Sequence, residues 1–225
     1  MGRVEAIQPE TRELLRRSAE WRLYALLFEY PDAAWRRNLA RLLPSLDCEE
    51  LRAMGEAALE GLTEGLHLAL FGPSGSVPVR EASYQGGVQL GYLMSELEAY
   101  YQAFAFTPGG KEAADHLSVE LGFLAYLYLK RAYALMQGNL PHAEVAAQAA
   151  VSFLREHVAA LAAPVAGRLA EYAPDYLATA GRRILAIAGP APTSAYLFSG
   201  TVIEEHEEDF SCRAEPAEGL IRLAP

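Results

Sequence analysis

Residues 112–133, EAADHLSVELGFLAYLYLKRAY, decide how the rest of the chain is read. The stretch opens on acidic and histidine side chains and then, from Leu117 onward, is apolar on nearly every helical face. A helix apolar all round has to be buried by its neighbours. The run falls short of the ~20 apolar residues of a membrane span, and Glu120 interrupts it, so no stable membrane insertion is expected. The reading is a central core helix. Its first turn, with Glu112, Asp115 and His116, reaches the surface and is the leading functional candidate.

Amphipathic segments flank this core on both sides. Residues 11–30 place Leu14, Ser18, Trp21, Ala25 and Phe28 on one stripe with arginines and glutamates opposite, until Pro31 ends the ladder. Asp32 is the expected N-cap of a second helix, 33–43, and Asp47 with Glu50 makes a capping-box pattern for a third that runs to about Leu70. Gly55, Gly61 and Gly65 weaken that third helix. Residues 71–85, FGPSGSVPVREASYQ, form a loop long enough for a compact helical domain to suggest a functional role, with a plain connection as the alternative.

A helix over 86–104 precedes the short turn at Pro108, Gly109 and Gly110. The central helix ends near Gly138 and Asn139, and Pro141 suits the first position of the next helix, 142–160. Pro164 kinks or restarts that helix, which continues to Tyr172, and a last helix covers 175–188. Beyond Gly189 the apolar pattern fades, apart from a weak period-two hint at 196–203. Residues 199–225 carry seven acidic residues against Arg213 and Arg222, half of the chain's net charge. The fold expected is all-α: a single-domain bundle of roughly eight or more helices over residues 1–188, with an acidic, loosely ordered appendage over 189–225.

The 225 residues suit one large domain, and an apolar share of 52% can fill its core. A net charge of −10 argues against nucleic acid as a partner and leaves room for a basic one. Cys48 and Cys212 are isolated in sequence, as expected of a reducing cytoplasm, and no apolar secretory leader is visible at the N-terminus. Arg16-Arg17 continues into an amphipathic helix and reads as a solvated helix face.

Catalytic patterns are scarce: there is no nucleophile elbow, no phosphate-binding loop and no dinucleotide fingerprint. Glu112, His116 and Glu120 stand four apart, so on one helix they would share a face and could ligate a metal. The spacing does not match the Glu-x-x-His of di-iron bundles, and His142 and His157 have no matching partners in sequence. The alternative is structural. Glu112 and Asp115 would cap the helix, His116 would be a partly buried hydrogen-bonding residue, and Glu120 would be paired inside with Tyr100, Tyr101 or an arginine of the first helix. A binding protein is favoured over an enzyme, and no cofactor is assigned.

EAADHLSVELGFLAYL resembles the E-P-x-D-H-x-x-x-E-L-x-F-x-x-x-L signature of the TorD/DmsD/NarJ chaperones through Glu112, Asp115, His116, Leu117, Glu120, Leu121, Phe123 and Leu127. Leu70-Phe71-Gly72-Pro73, Pro78 and Ser83-Tyr84 are similar to that family's first loop. Tyr100-Tyr101 with Phe104 and Phe106 resembles its Y-x-x-x-G-F segment, and Phe153 with His157 its F-x-x-x-H-L-x-x-W helix. The chain departs from the pattern at Ala113, Ala105 and Leu161, which stand for proline, glycine and tryptophan.

The resemblance implies an all-helical cytoplasmic chaperone of molybdoenzyme maturation. Such a protein binds the twin-arginine signal peptide, or the apo catalytic subunit, of a molybdenum-dependent oxidoreductase until its cofactor is loaded. On that reading Glu112, Asp115 and His116 meet the arginines, and Tyr84, Tyr101, Phe104 and Phe106 line an apolar groove. The competing expectation is a helical metal- or cofactor-binding enzyme built on Glu112, His116 and Glu120. A monomer is expected, with a dimer as the alternative.

Overall fold

The computed structural model describes residues 7–84, 90–109 and 112–191. Among them are nine α-helices: α1 Pro9–Phe28, α2 Ala33–Leu42, α3 Glu49–Gly61, α4 Glu64–Phe71, α5 Leu90–Ala103, α6 Leu117–Met136, α7 Leu140–Phe153, α8 Ala159–Tyr172 and α9 Asp175–Ala188. A π-helical turn, Leu154–Val158, joins α7 to α8 without a break, and short 3₁₀ turns lie at Leu43–Ser45 and Glu81–Ser83. The described residues contain no β-strand, so the all-α expectation holds. The acidic segment and the period-two hint fall on 192–225, outside the described residues.

The core is built on α1 against α6. Trp21, Tyr24 and Phe28 of α1 and Phe123, Leu124 and Leu127 of α6 are fully buried, which makes α6 the central helix that its sequence demands. α7 packs on the next face of α6, and α8 and α9 pair with each other. That pairing is close at Gly181, where a Cβ would sit 2.8 Å from the Leu169 side chain and 3.1 Å from the Ala166 backbone.

The helix ends follow local chemistry. The Asp32 carboxylate accepts from the Trp35 N–H at 2.8 Å, the cap its position predicts. Asn139 caps α7 by accepting from His142, with Pro141 in the first turn. α6 stops at Gly138, whose φ of 67° is left-handed. Gly138 N–H bonds back to Leu135 and Asn139 N–H to Ala134, a Schellman closure. α5 closes in the same way around Ala105, at φ 53°: Ala105 N–H reaches Gln102, Phe106 N–H reaches Tyr101 at 2.8 Å, and the Tyr101 and Phe106 rings meet edge to face with centroids 5.2 Å apart.

Several boundaries differ from the sequence reading. The single helix expected up to Leu70 is two, because Leu62 is extended and Thr63 starts α4 by accepting from Leu66 N–H. The Asp47 capping box does not form: α3 begins at Glu49 with Cys48 at its cap and no side-chain bond there. Pro164 does not restart a helix but lies within α8, while the irregularity falls ten residues earlier, in the π turn. The continuous rod Leu140–Tyr172 is long and apolar enough to cross a membrane by length and composition, yet half of its most apolar window is buried inside the protein. It reads as a core helix.

Candidate functional site

The loop after α4 is fastened to the segment that leads into α6. Val77 and Val79 are buried. Leu117 N–H donates to Val79 O at 2.8 Å, Glu81 N–H donates to Asp115 O at 2.9 Å, and Arg80 and His116 form an isolated antiparallel bridge. The Asp115 carboxylate lies under this bridge with no exposed surface. It accepts from Arg80 Nε at 2.9 Å, from Arg80 Nη2 at 2.6 Å and from Ala82 N–H at 3.3 Å. An aspartate taken out of water needs that fork and that amide. The carboxylate therefore fastens the loop to the segment that leads into α6.

His116 is the N-cap of α6. Its Nδ1 accepts from Ser118 N–H at 3.2 Å and lies 2.7 Å from Ser118 Oγ, which places the ring proton on Nε2, 3.8 Å from Glu112. Burial, then the neighbouring His67, pushes its pKa down to about 4; Arg80 adds to this and Asp115 opposes it. His116 is thus a neutral imidazole at pH 7.

One turn further on, Glu120 is completely buried. No conventional N–H or hydroxyl donor among the described residues meets its oxygens. Burial, followed by the charges of Glu81 and Asp115, drives its pKa far up, so it keeps its proton and bonds to Glu81. Glu81, also fully buried, lies 3.1 Å from His157 Nδ1 as well. A chain of polar groups, Glu120–Glu81–His157, therefore links α6, the loop and the π turn. The expected pairing of Glu120 with Tyr100, Tyr101 or an arginine is corrected: its partner is a second carboxyl.

The aromatic residues close over this chain. Phe123 is the hub, within 4.8–6.3 Å, ring to ring, of Tyr100, Tyr101, Phe104, Phe106 and Phe153. Tyr101 is buried and donates to Ala114 O at 2.8 Å, and Tyr84 donates to Pro78 O at 2.7 Å. Tyr100 donates to Glu156 Oε2 at 2.9 Å.

The residues expected at the site thus gather around the start of α6, as a closed frame. Asp115, His116 and Tyr101 are buried, contrary to the surface turn expected of the first two, while Glu112, Tyr84, Phe104 and Phe106 stay partly exposed. The helix begins at Leu117, so Glu112 and His116 do not share a helical face with Glu120, and the metal set expected from that spacing does not form. Arg80 and Glu81 were missed. Their only sequence signal is an adjacent cation and acid inside the loop.

A shallow groove of about 320 Å³ runs between α6 and α7, lined by Leu127, Tyr128, Ala147, Ala150 and Val151 with Arg131 and Glu144 at its rim. Arg131 is taken by Glu10 at 3.1 Å. On another face of α6 Leu129, Tyr133 and Met136 form an exposed apolar stripe, and Val151 of the groove and Val145 are exposed on α7. A second hollow, of about 460 Å³, lies between Pro31–Arg37 and Leu62–Glu64.

Residues 29–166 match the model of the nitrate reductase delta subunit family. The selenate reductase assembly chaperone protein of Thauera selenatis is 34% identical over 141 residues, which cover 60% of this chain and 67% of that protein. The chlorate reductase assembly chaperone protein of Ideonella dechloratans is 35% identical over 141 residues, with the same shares covered. The matched span runs from the end of α1 into α8 and contains the whole polar frame. The chain belongs to the nitrate reductase delta subunit family, the NarJ/TorD-type assembly chaperones of molybdenum-dependent reductases.

Proposed function

We propose that this chain is a cytoplasmic chaperone that binds the twin-arginine signal peptide of an apo reductase catalytic subunit and holds that subunit back until its molybdenum cofactor is loaded. The nitrate, selenate and chlorate of the family and relative names make an oxyanion reductase the expected client. The observation that carries the reading is the apolar groove between α6 and α7, lined by Leu127, Tyr128, Ala147, Ala150 and the exposed Val151. A solvent-facing apolar patch on a well-filled core marks a binding surface.

A twin-arginine peptide offers two guanidinium groups followed by an apolar run. The groove suits the apolar run as a helix, by its apolar floor and its Val151 wall. Glu144 at the rim accepts from Gln148 Nε2 at 2.9 Å and has no ion pair among the described residues, while Arg131 is already paired with Glu10. The net charge of −10 favours a cationic partner at long range. Glu112, Tyr84, Phe104 and Phe106 remain proposed contacts; Asp115, His116 and Tyr101 act from inside, by holding the surface that carries them.

The test is fluorescence anisotropy of a labelled twin-arginine peptide with the full chain. Affinity should fall as salt rises. Val151→Glu adds a charge at an exposed position (66%) and should weaken binding about tenfold or more without loss of helicity. Absence of binding by the wild type, or an unchanged Val151→Glu, overturns the proposal.

A further inference from the structure

We propose that Glu96, Glu156 and His157 form a binding site for a divalent transition-metal ion of the zinc class, where α5 meets the π turn. One ligand atom from each residue lies within 4.8 Å of the others. The donors are one imidazole nitrogen and two carboxylates, a set that suits Zn²⁺ and its first-row neighbours better than the all-oxygen preference of Mg²⁺ or Ca²⁺.

His157 is prepared as a ligand. Its ring is 2% exposed, and Nδ1 is engaged by the buried Glu81 carboxylate at 3.1 Å. Nε2 is buried and has no hydrogen-bond partner among the described residues. A carboxylate on one ring nitrogen, with the other left free, is the arrangement that orients metal-bound histidines. The carboxylate of Glu156 is likewise fixed from behind, by the Tyr100 hydroxyl at 2.9 Å. A π turn re-aims side chains within a continuous helix and recurs at functional sites; here it is Leu154–Val158, which carries both Glu156 and His157.

Tetrahedral ligands on zinc bonds of ~2.1 Å stand about 3.4 Å apart. The group therefore closes by roughly an ångström. Glu96 supplies that movement, because it is an exposed side chain on α5, and it leaves the site open to solvent for the ion and for a water as fourth ligand. A bound ion would clasp α5 to the α7–α8 rod. The proposal stands on these residues and does not depend on peptide binding.

The test is calorimetric titration of metal-stripped full-length protein with Zn²⁺, with the melting temperature read in parallel. One ion should bind per chain and raise the melting temperature. Glu96→Gln, at an exposed position, should weaken binding at least tenfold, and Glu96→Gln with Glu156→Gln should abolish the saturable event and the thermal shift. Glu81→Gln, if folded by circular dichroism, should cost 10–100-fold in affinity, the usual effect of losing a histidine's carboxylate partner. No stoichiometric binding by the wild type overturns the proposal. Wild-type affinity in the double variant does so equally, because it places the ion elsewhere.

Discussion

Acid should loosen the start of α6 through one residue, His116, and one substitution isolates it. The ring is 5% exposed, Nδ1 accepts from Ser118, and burial above all holds its pKa at about 4. In the unfolded chain the same imidazole titrates near 6.5. Between those two values the unfolded state takes up a proton that the folded state refuses. A folded pKa below the unfolded one gives stability that is fully present above pH 6.5 and is lost as pH falls toward 4. The slope is ~1.36 kcal/mol per pH unit, so the whole window is worth about 3 kcal/mol. The groups facing the ring are Glu112, Asp115, Arg80 and His67; a proton on Nε2 gains only Glu112, at 3.8 Å and partly exposed.

His116→Asn keeps a side-chain acceptor at the N-cap and carries no charge at any pH. The informative quantity is the wild-type stability minus that of His116→Asn, from urea unfolding followed by far-UV circular dichroism between pH 4 and 7.5. Every other titrating group is common to both proteins and cancels. The difference should be flat above pH 6.5 and fall below it by about 3 kcal/mol in total, moving against the wild type. A difference that does not change with pH would mean that His116 titrates in the folded protein as it does in water. The side chain would then be at the surface, available to a client, and the burial argument would fail.

Glu120→Gln tests the carboxyl pair with the opposite sign. Glu120 keeps its proton in the folded state above the ordinary carboxyl range, so its contribution is complete below about pH 4.5 and is lost as pH rises. Glutamine never ionises, so Glu120→Gln should gain on the wild type from pH 5 to pH 9 in urea unfolding; a gap independent of pH refutes the pairing. Ala105→Gly should stabilise the fold, because Ala105 holds φ 53° at the close of α5. Relief of the left-handed strain, ~1–2 kcal/mol, outweighs glycine's greater unfolded freedom, ~0.5–1 kcal/mol. Calorimetry should show a melting temperature higher by about 1–3 °C, and a decrease contradicts the assignment.

What could be read from sequence was what local chemistry decides. Asp32 caps its helix because its own side chain reaches an amide three residues on, and Gly138 ends α6 because glycine adopts φ 67° without strain. The role of Asp115 could not be read in that way. Beside Glu112 it suggests a helix-capping acid, but its carboxylate is used by Arg80, 35 residues earlier. The helix then starts only at Leu117, and the four-residue spacing of Glu112, His116 and Glu120 loses its meaning. His157 was similar. Its partner Glu81 lies on the far side of α6 in sequence, and a π turn sets its direction, which no simple period reveals. Thr63 failed for a smaller reason: Gly61 and Gly65 weaken the helix there, but three glycines spread over it do not say where it breaks, and a lone threonine gives a weak boundary.

The residues that carry the family likeness most clearly are Asp115, His116, Glu120 and His157, and all four are buried. Each meets a group on another segment or caps a helix: Arg80, Ser118, Glu81 and, through Glu81, the loop. Buried polar groups are costly unless every partner is in place, so a set like this constrains sequence strongly whatever the protein binds. The signature then marks where the shared fold is hardest to satisfy, and it cannot by itself tell one client from another. On the proposed function, client choice would lie on exposed positions that the signature does not contain, such as Val151 at the groove and Tyr133, Met136 and Val145 elsewhere on α6 and α7. Exchanging those four between two relatives should move peptide preference, while exchanging Asp115 and His116 with them should add nothing to it.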